Sequence, residues 1–259
     1  MSDPGATFPV PPAVGASLAF LLGLAAGSFV NVLIHRLPRG RSIVSPPSAC
    51  PHCGHRLAPR DLVPLVSFLR TRGRCRYCAA SISLQYPLVE AGCAAGFAGL
   101  WLAFGRPGPW VAYATLMALL VALAAIDLRH RTLPNALTLP GLATGLLFAA
   151  AGWTVGLRAA VAGALVGALA VVALALASRG GVGMGDAKLL AMIGAYLGPW
   201  VAAGALVWGS LAGTIVGIGL VLARKVGLRE PVPFGPFLAL GALLAALTVP
   251  AWLARMGLR

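Results

Sequence analysis

Only six carboxylates occur among 259 residues, so each can be weighed singly. Asp127 closes one apolar run, in AAIDLRH, and Asp186 opens another, in GVGMGDAK. Two carboxylates sharing a low-dielectric site do not readily both ionise, so one keeps a proton while the other acts as a base. Such a pair can activate a water for attack on a peptide carbonyl, the protonated partner polarising the oxygen, and no metal is required. The competing structural reading pairs Asp127 with Arg129 or Arg131 and makes Asp186 a helix cap. Gly180, Gly181, Gly183 and Gly185 favour the chemical reading, because they remove side chains where an extended peptide would approach Asp186. Lys188 lies just beyond, as a substrate-approach or supporting residue, and His130 stands near Asp127.

Glu90 falls about a turn inside an apolar run, where an ionisable residue is costly and by default functional. Two readings stand side by side: a group beside the site, or an interfacial carboxylate paired with Arg or Lys. Asp61 reads as a cap or a partner of Arg60, while Asp3 and Glu230 carry little information.

A second chemistry belongs to the cysteines. Cys50 and Cys53, then Cys75 and Cys78, form two C-x-x-C pairs at a spacing close to that of four-thiolate zinc sites. Closed sites of this kind are structural. Gly54 supplies the turn after the first pair, and Ala79 takes that place after the second. His52 and His55 read as loop residues, and Cys93 as a small apolar filler within a helix.

The elements that must hold these groups are membrane helices. Hydrophobic residues make up 59% of the chain and charged residues 10%, which excludes an ordinary soluble enzyme. Uncharged runs cover 14–34, 88–104, 110–126, 133–151, 159–177, 189–223 and 235–253. The 35-residue run 189–223 would be roughly 50 Å long as one helix, so it is divided at Gly198-Pro199. The expected fold is therefore an all-α polytopic membrane protein of about eight transmembrane helices. Its parts are a tail over 1–13, a first helix over 14–34, a cysteine domain over 35–86, and a core of helices two to eight over 87–259. The cysteine domain reads as a small zinc-ribbon-like insertion, too short to fold without a staple.

Charge orients this arrangement. Segments 35–86, 127–132, 178–188 and 224–233 hold 16 Lys and Arg, against 4 on the opposite side. Basic residues stay preferentially in cytoplasmic loops, so the cysteine domain and both aspartates are expected at the cytoplasmic face and both termini outside. A reducing compartment then favours metal over disulfides. The net charge of +14 serves topology, and no nucleic-acid partner is expected. No G-x-S-x-G or H-E-x-x-H motif is present. Two rival readings remain: a proton-coupled transporter using Asp127, Asp186 and Glu90, and a membrane-anchored scaffold built on the cysteine domain.

The motifs in order resemble the type IV prepilin peptidases: GSFVNVLIHRLP at 27–38, CPHCGH at 50–55, RGRCRYC at 72–78 and YPLVE at 86–90. Asp127 with LP at 133–134 and LTLP at 137–140, GMGDAKLL at 183–190, and PFGPF at 233–237 complete the series. The resemblance implies an aspartic-type membrane protease of the bacterial inner membrane with Asp127 and Asp186 as its catalytic acids. It implies cleavage of prepilins or pseudopilins after a Gly at the cytoplasmic face, for type IV pili or type II secretion. It also implies N-methylation of the new terminus with S-adenosylmethionine, a cofactor for which no sequence motif stands out. Asn135 replaces the Asp usual after Leu-Pro, leaving Asp127 as the acid of that motif. Gln85 stands where Arg is common, and Ala58-Pro59-Arg60 replaces an aromatic pair.

Overall fold

The computed structural model describes residues 11–177, 183–224, 227 and 232–255. Most of the N-terminal tail, Gly180 and Gly181 beside the second aspartate, and Lys225, Arg229 and Glu230 of the last basic segment lie outside the described residues. Nine α-helices are described: α1 (Pro12–Arg36), α2 (Val66–Arg70), α3 (Gln85–Phe104), α4 (Pro107–His130), α5 (Asn135–Ala150), α6 (Leu157–Ala177), α7 (Met184–Leu197), α8 (Pro199–Leu222) and α9 (Gly235–Arg255). Apart from the short α2, these are the eight helical segments expected from the apolar runs.

The division of the 35-residue run falls where it was expected, and the backbone shows why. Gly198 sits at φ 82°, ψ 175°, a conformation open almost only to glycine, and Pro199 opens the next helix at a position where its missing N–H costs nothing.

The described helices differ in length. Five described helices are long and apolar enough to cross a membrane: Pro12–Arg39, Gln85–Phe104, Pro107–His130, Leu157–Ala177 and Pro199–Leu222. The apolar helices Asn135–Ala150 and Gly235–Pro250 are shorter, and the 14 residues of α7 reach only about 21 Å against a hydrocarbon core of about 30 Å. Five of the eight expected helices thus have the length and composition of a span by themselves, while α5, α7 and the described apolar part of α9 are shorter.

The chain divides into two compact units, Met1–Ala122 and Leu123–Arg259. In the first, α1 lies against α3 through small residues. A Cβ on Gly23 would come within 2.6 Å of Ala94 Cα, and one on Gly27 within 2.7 Å of Glu90 Cα, so the two backbones touch where lipid-embedded helices need small side chains. Cys93 is fully buried at this seam, the filler the sequence suggested.

In the second unit α7 is the central element, buried from Asp186 and Ala187 through Leu189–Tyr196. A Cβ on Gly163 of α6 would collide with the carbonyl of Gly194, so α6 and α7 meet backbone to backbone. Tyr196 is held by its hydroxyl against Thr144 of α5 at 2.9 Å. A helix so enclosed cannot shift without moving its neighbours, and it carries Asp186 on its first turn.

Candidate active site and metal centre

Asp127 is set by the end of α4. The chain leaves that helix through Arg131 at φ 53°, whose amide bonds back to the Asp127 carbonyl at 2.8 Å, closing the last turn. The Asp127 side chain does not pair with Arg129 or Arg131. Its Oδ2 accepts the amide of Gly235 at 2.8 Å, from the first residue of α9, and the residue is 6% exposed. A Cβ on Gly235 would stand 2.9 Å from that oxygen, so any side chain there would push on the carboxylate. The PFGPF segment thus contributes a backbone donor, a group that no residue type in the motif signals.

Asp186 occupies the third position of α7 and accepts the backbone amide of Gly183, the residue before the helix, in half of a capping box. The side chain thus supports the helix start, and it is 9% exposed. Asp127 lies near enough for its charge to act on Asp186. Two carboxylates from helix ends 59 residues apart thus lie within range of each other's charge, each steadied by a backbone amide.

The residues expected around them divide in role. Gly183 opens toward the Asp186 carboxylate, whose Oδ2 would lie 3.6 Å from a Cβ there. Gly185 instead admits Leu133, 3.2 Å from where its Cβ would be, and so joins the α4–α5 connection to α7. Lys188 donates to the Asn135 side-chain oxygen at 2.8 Å, which pins the start of α5 to the first turns of α7. Replacing Lys188 with Ala should slow catalysis about fivefold, the kinetic equivalent of one hydrogen bond of about 1 kcal/mol. Asn135→Asp, which restores a charged acceptor, should leave the rate near that of the parent; steady-state cleavage rates check both.

Glu90 belongs to the first unit. It is 8% exposed, and its described partners are the Ser28 hydroxyl and the Leu65 amide, the latter at 2.8 Å, in place of the Arg or Lys expected of an interfacial carboxylate. Nearby, Asn31 donates to the Tyr86 carbonyl at 3.1 Å and accepts from Gln85 at 3.3 Å, so α1 and α3 share a polar end. Asp61 pairs with Arg76 Nε at 2.7 Å and accepts from Tyr77 and the Ala58 amide, so its partner is Arg76 and not Arg60. The Arg76 hydrogen bond holds its carboxyl below the usual range.

The cysteine pairs form two matching knuckles. Cys50 and Cys75 each donate their amide to the carbonyl five residues on, at 2.9 and 2.8 Å, while Gly54 and Ala79 donate back to Cys50 and Cys75 at 2.9 Å. Gly54 and Ala79 both take positive φ, 70° and 58°, so the alanine adopts the glycine's conformation at a cost of about 1 kcal/mol. The sulfurs of Cys50, Cys53, Cys75 and Cys78 all lie within 4.8 Å of one another. His55 is stacked on Tyr77, with centroids 3.6 Å apart. The Cys53 amide and other neighbouring groups bring the Cys50 thiol down to about 6. Cys78 is pushed up to about 12, because burial and the adjacent sulfurs outweigh the Ala80 amide that favours its thiolate. Four sulfurs so crowded cannot all ionise without a cation, and the set fits a tetrahedral zinc. Full-length protein should therefore hold one zinc that is lost in Cys75→Ser and released as the pH falls, when protons compete for the sulfurs; metal analysis of the purified chain checks this.

Residues 21–104 match the Bacterial Peptidase A24 N-terminal domain, and residues 114–218 match the Type IV leader peptidase family. A prepilin leader peptidase/N-methyltransferase of Burkholderia pseudomallei (strain K96243) is 40% identical over 264 residues, covering 90% of this chain and 85% of that protein. The chain belongs to the type IV leader peptidase family. Proteins of the same name from Aeromonas hydrophila, 41% identical over 89% of this chain and 90% of its own, and from Bacillus subtilis (strain 168), 37% identical over 89% and 93%, agree. No solved structure matches the chain. The first family model contains the four cysteines and Glu90, and the second contains both aspartates.

Proposed function

We propose that this leader peptidase cleaves the leader from membrane-inserted prepilins or pseudopilins at the cytoplasmic face of the bacterial inner membrane, with Asp127 and Asp186 as the catalytic pair. The observation that supports this reading is two buried carboxylates within range of each other's charge, each fixed by a backbone amide that leaves further oxygen lone pairs for chemistry. One carboxylate takes a proton from water as the oxygen attacks the carbonyl carbon of the scissile peptide. The other, protonated, gives its proton to the carbonyl oxygen. Collapse of the tetrahedral intermediate breaks the carbon–nitrogen bond, and a proton passes to the departing amine. The gem-diol proton returns to the pair, which is ready for the next substrate.

Gly183 forms the approach to Asp186, Gly185 and Lys188 hold the α4–α5 connection against α7, and Glu90 fixes the turn at Leu65 in the first unit. The excess of basic residues in the segments that carry both acids favours placing the pair and the cysteine domain in the cytoplasm. Zinc held by Cys50, Cys53, Cys75 and Cys78 is structural: it ties the two knuckles together and takes no part in cleavage.

The second activity in the relatives' name, N-methylation, uses S-adenosylmethionine as the source of an electrophilic methyl group. One cleft of about 420 Å³ in the cysteine domain, lined by Ser48, Arg56, Leu57 and Leu62 among others, has a suitable volume. It offers a guanidinium and a hydroxyl but no carboxylate for a ribose diol, so it does not fit the group and no methyl-transfer step is derived from it. The test of the peptidase is to mix the detergent-solubilised chain with a prepilin and follow the mass of the N-terminal fragment. Release of a leader ending in Gly supports the reading, and an intact substrate after prolonged incubation overturns it. Addition of S-adenosylmethionine, followed by a search for one added methyl group on the mature fragment, tests the second activity.

A further inference from the structure

The cysteine domain leaves one feature outside both the zinc site and the proposed chemistry. Its segment 62–72 shows apolar side chains to the outside: Val66 is 53% exposed and Leu69 73%, with Leu62 and Val63 above 40%. The opposite face of α2 packs inward, where Phe68 lies 3.0 Å from the position of a Cβ on Gly73. An outward apolar face on a five-residue helix has no value in water, yet it is bordered by the exposed arginines Arg60, Arg70 and Arg72.

The depth of this segment is fixed by Glu90. Leu65 stands at φ 58°, ψ −47° between Pro64 and Val66, whose carbonyl and amide approach to 2.6 Å, a γ-turn of the rare positive-φ kind. The Leu65 amide is bonded to Glu90. Glu90 is the sixth residue of α3, so it lies about 8 Å along the axis from the helix start. The 20 residues of α3 span about 30 Å, the thickness of the hydrocarbon core. The γ-turn and the start of α2 are thereby drawn to the depth at which interfacial helices bury their apolar faces, roughly 5–10 Å. Charge complements the placement: 35–86 carries nine arginines and one aspartate, and the domain is tethered to membrane helices at both ends.

We infer that residues 62–72 form an interfacial anchor, in which Val66 and Leu69 enter the edge of an anionic bilayer while Arg70 and Arg72 bind lipid phosphates. The anchor holds the zinc domain down on the membrane, with Glu90 as the positioning residue that sets its depth. The inference rests on α1 and α3 crossing the bilayer and is independent of catalysis.

Hydrogen exchange tests it on the full-length chain, in nanodiscs of phosphatidylcholine alone or of phosphatidylcholine mixed with phosphatidylglycerol. Amides of 62–72 should exchange more slowly in the anionic discs. Arg70→Gln with Arg72→Gln should remove that protection by roughly fivefold per arginine, as should added salt. Leu69→Ser should weaken protection in both lipids. Unchanged zinc content in each variant shows that the domain is folded, and slow exchange within α1 and α3 in both discs shows that the spans are in place. Equal exchange of 62–72 in the two lipids overturns the anchor, and so does protection that appears only when a prepilin is added, which would make this face a substrate surface.

Discussion

Asn in place of Asp127 or of Asp186 should each reduce prepilin cleavage by roughly 10⁴-fold, the upper range for loss of a positioned acid or base. The two variants should be equally inactive although only one keeps each role, because the proton is shared and the remaining carboxylate cannot be base and acid at once. The fold should survive, since Asn preserves the shape and can accept from the Gly235 or Gly183 amide as the aspartates do. Quantifying mature fragment by mass, with zinc content as the check on folding, reads the outcome. The same variants discriminate against a membrane-anchored scaffold, whose activity would survive both changes and be lost with the cysteines.

The second large effect is expected at a residue with no functional group. Gly235→Ala places a methyl 2.9 Å from Asp127 Oδ2, closer than a carbon and an oxygen tolerate, and it displaces the carboxylate or the start of α9. A displacement of about 1 Å in catalytic geometry costs on the order of 10²-fold in rate. The loss should appear in kcat and leave KM nearly unchanged, because the substitution moves a reacting group without removing a substrate contact. Full activity in Gly235→Ala would show that the amide at this position does not orient the acid.

Much of this architecture was legible in the residues. The break at Gly198-Pro199 could be read because a glycine followed by proline is a local backbone signal, and φ 82° at Gly198 is its physical content. The cysteine pairs could be read because thiolate geometry demands short, repeated spacing, and the sulfurs do converge. The aspartates stood out because acids are so rare in this chain. What could not be read are the partners of those groups. Gly235 lies 108 residues from Asp127, and it contributes a backbone amide, which every residue but proline possesses. Glu90 is likewise satisfied by a backbone amide, that of Leu65, and Asp61 chose Arg76 over the adjacent Arg60 because the second knuckle folds back across the 3₁₀ turn that carries the acid. The number of spans is not legible for a related reason. Apolar composition reports burial without saying whether lipid or protein supplies it, and α7 is covered by its neighbouring helices.

The expected resistance of the fold follows from the same packing. A side chain at Gly163 or Gly194 would force apart two helices already in backbone contact, so Gly163→Val should prevent accumulation of folded protein, which expression and detergent-solubility measurements check.

The central claim is that Asp127 and Asp186 act as one unit sharing a proton, and the pH dependence of kcat for prepilin cleavage by the purified chain tests it most directly. A shared proton predicts a bell, with activity lost on the acid side as the second carboxylate is protonated and on the alkaline side as the last proton leaves, two ionisations that belong to the pair. A rate that rises through a single ionisation to a plateau at high pH would mean that one acid works alone, and it would contradict the account.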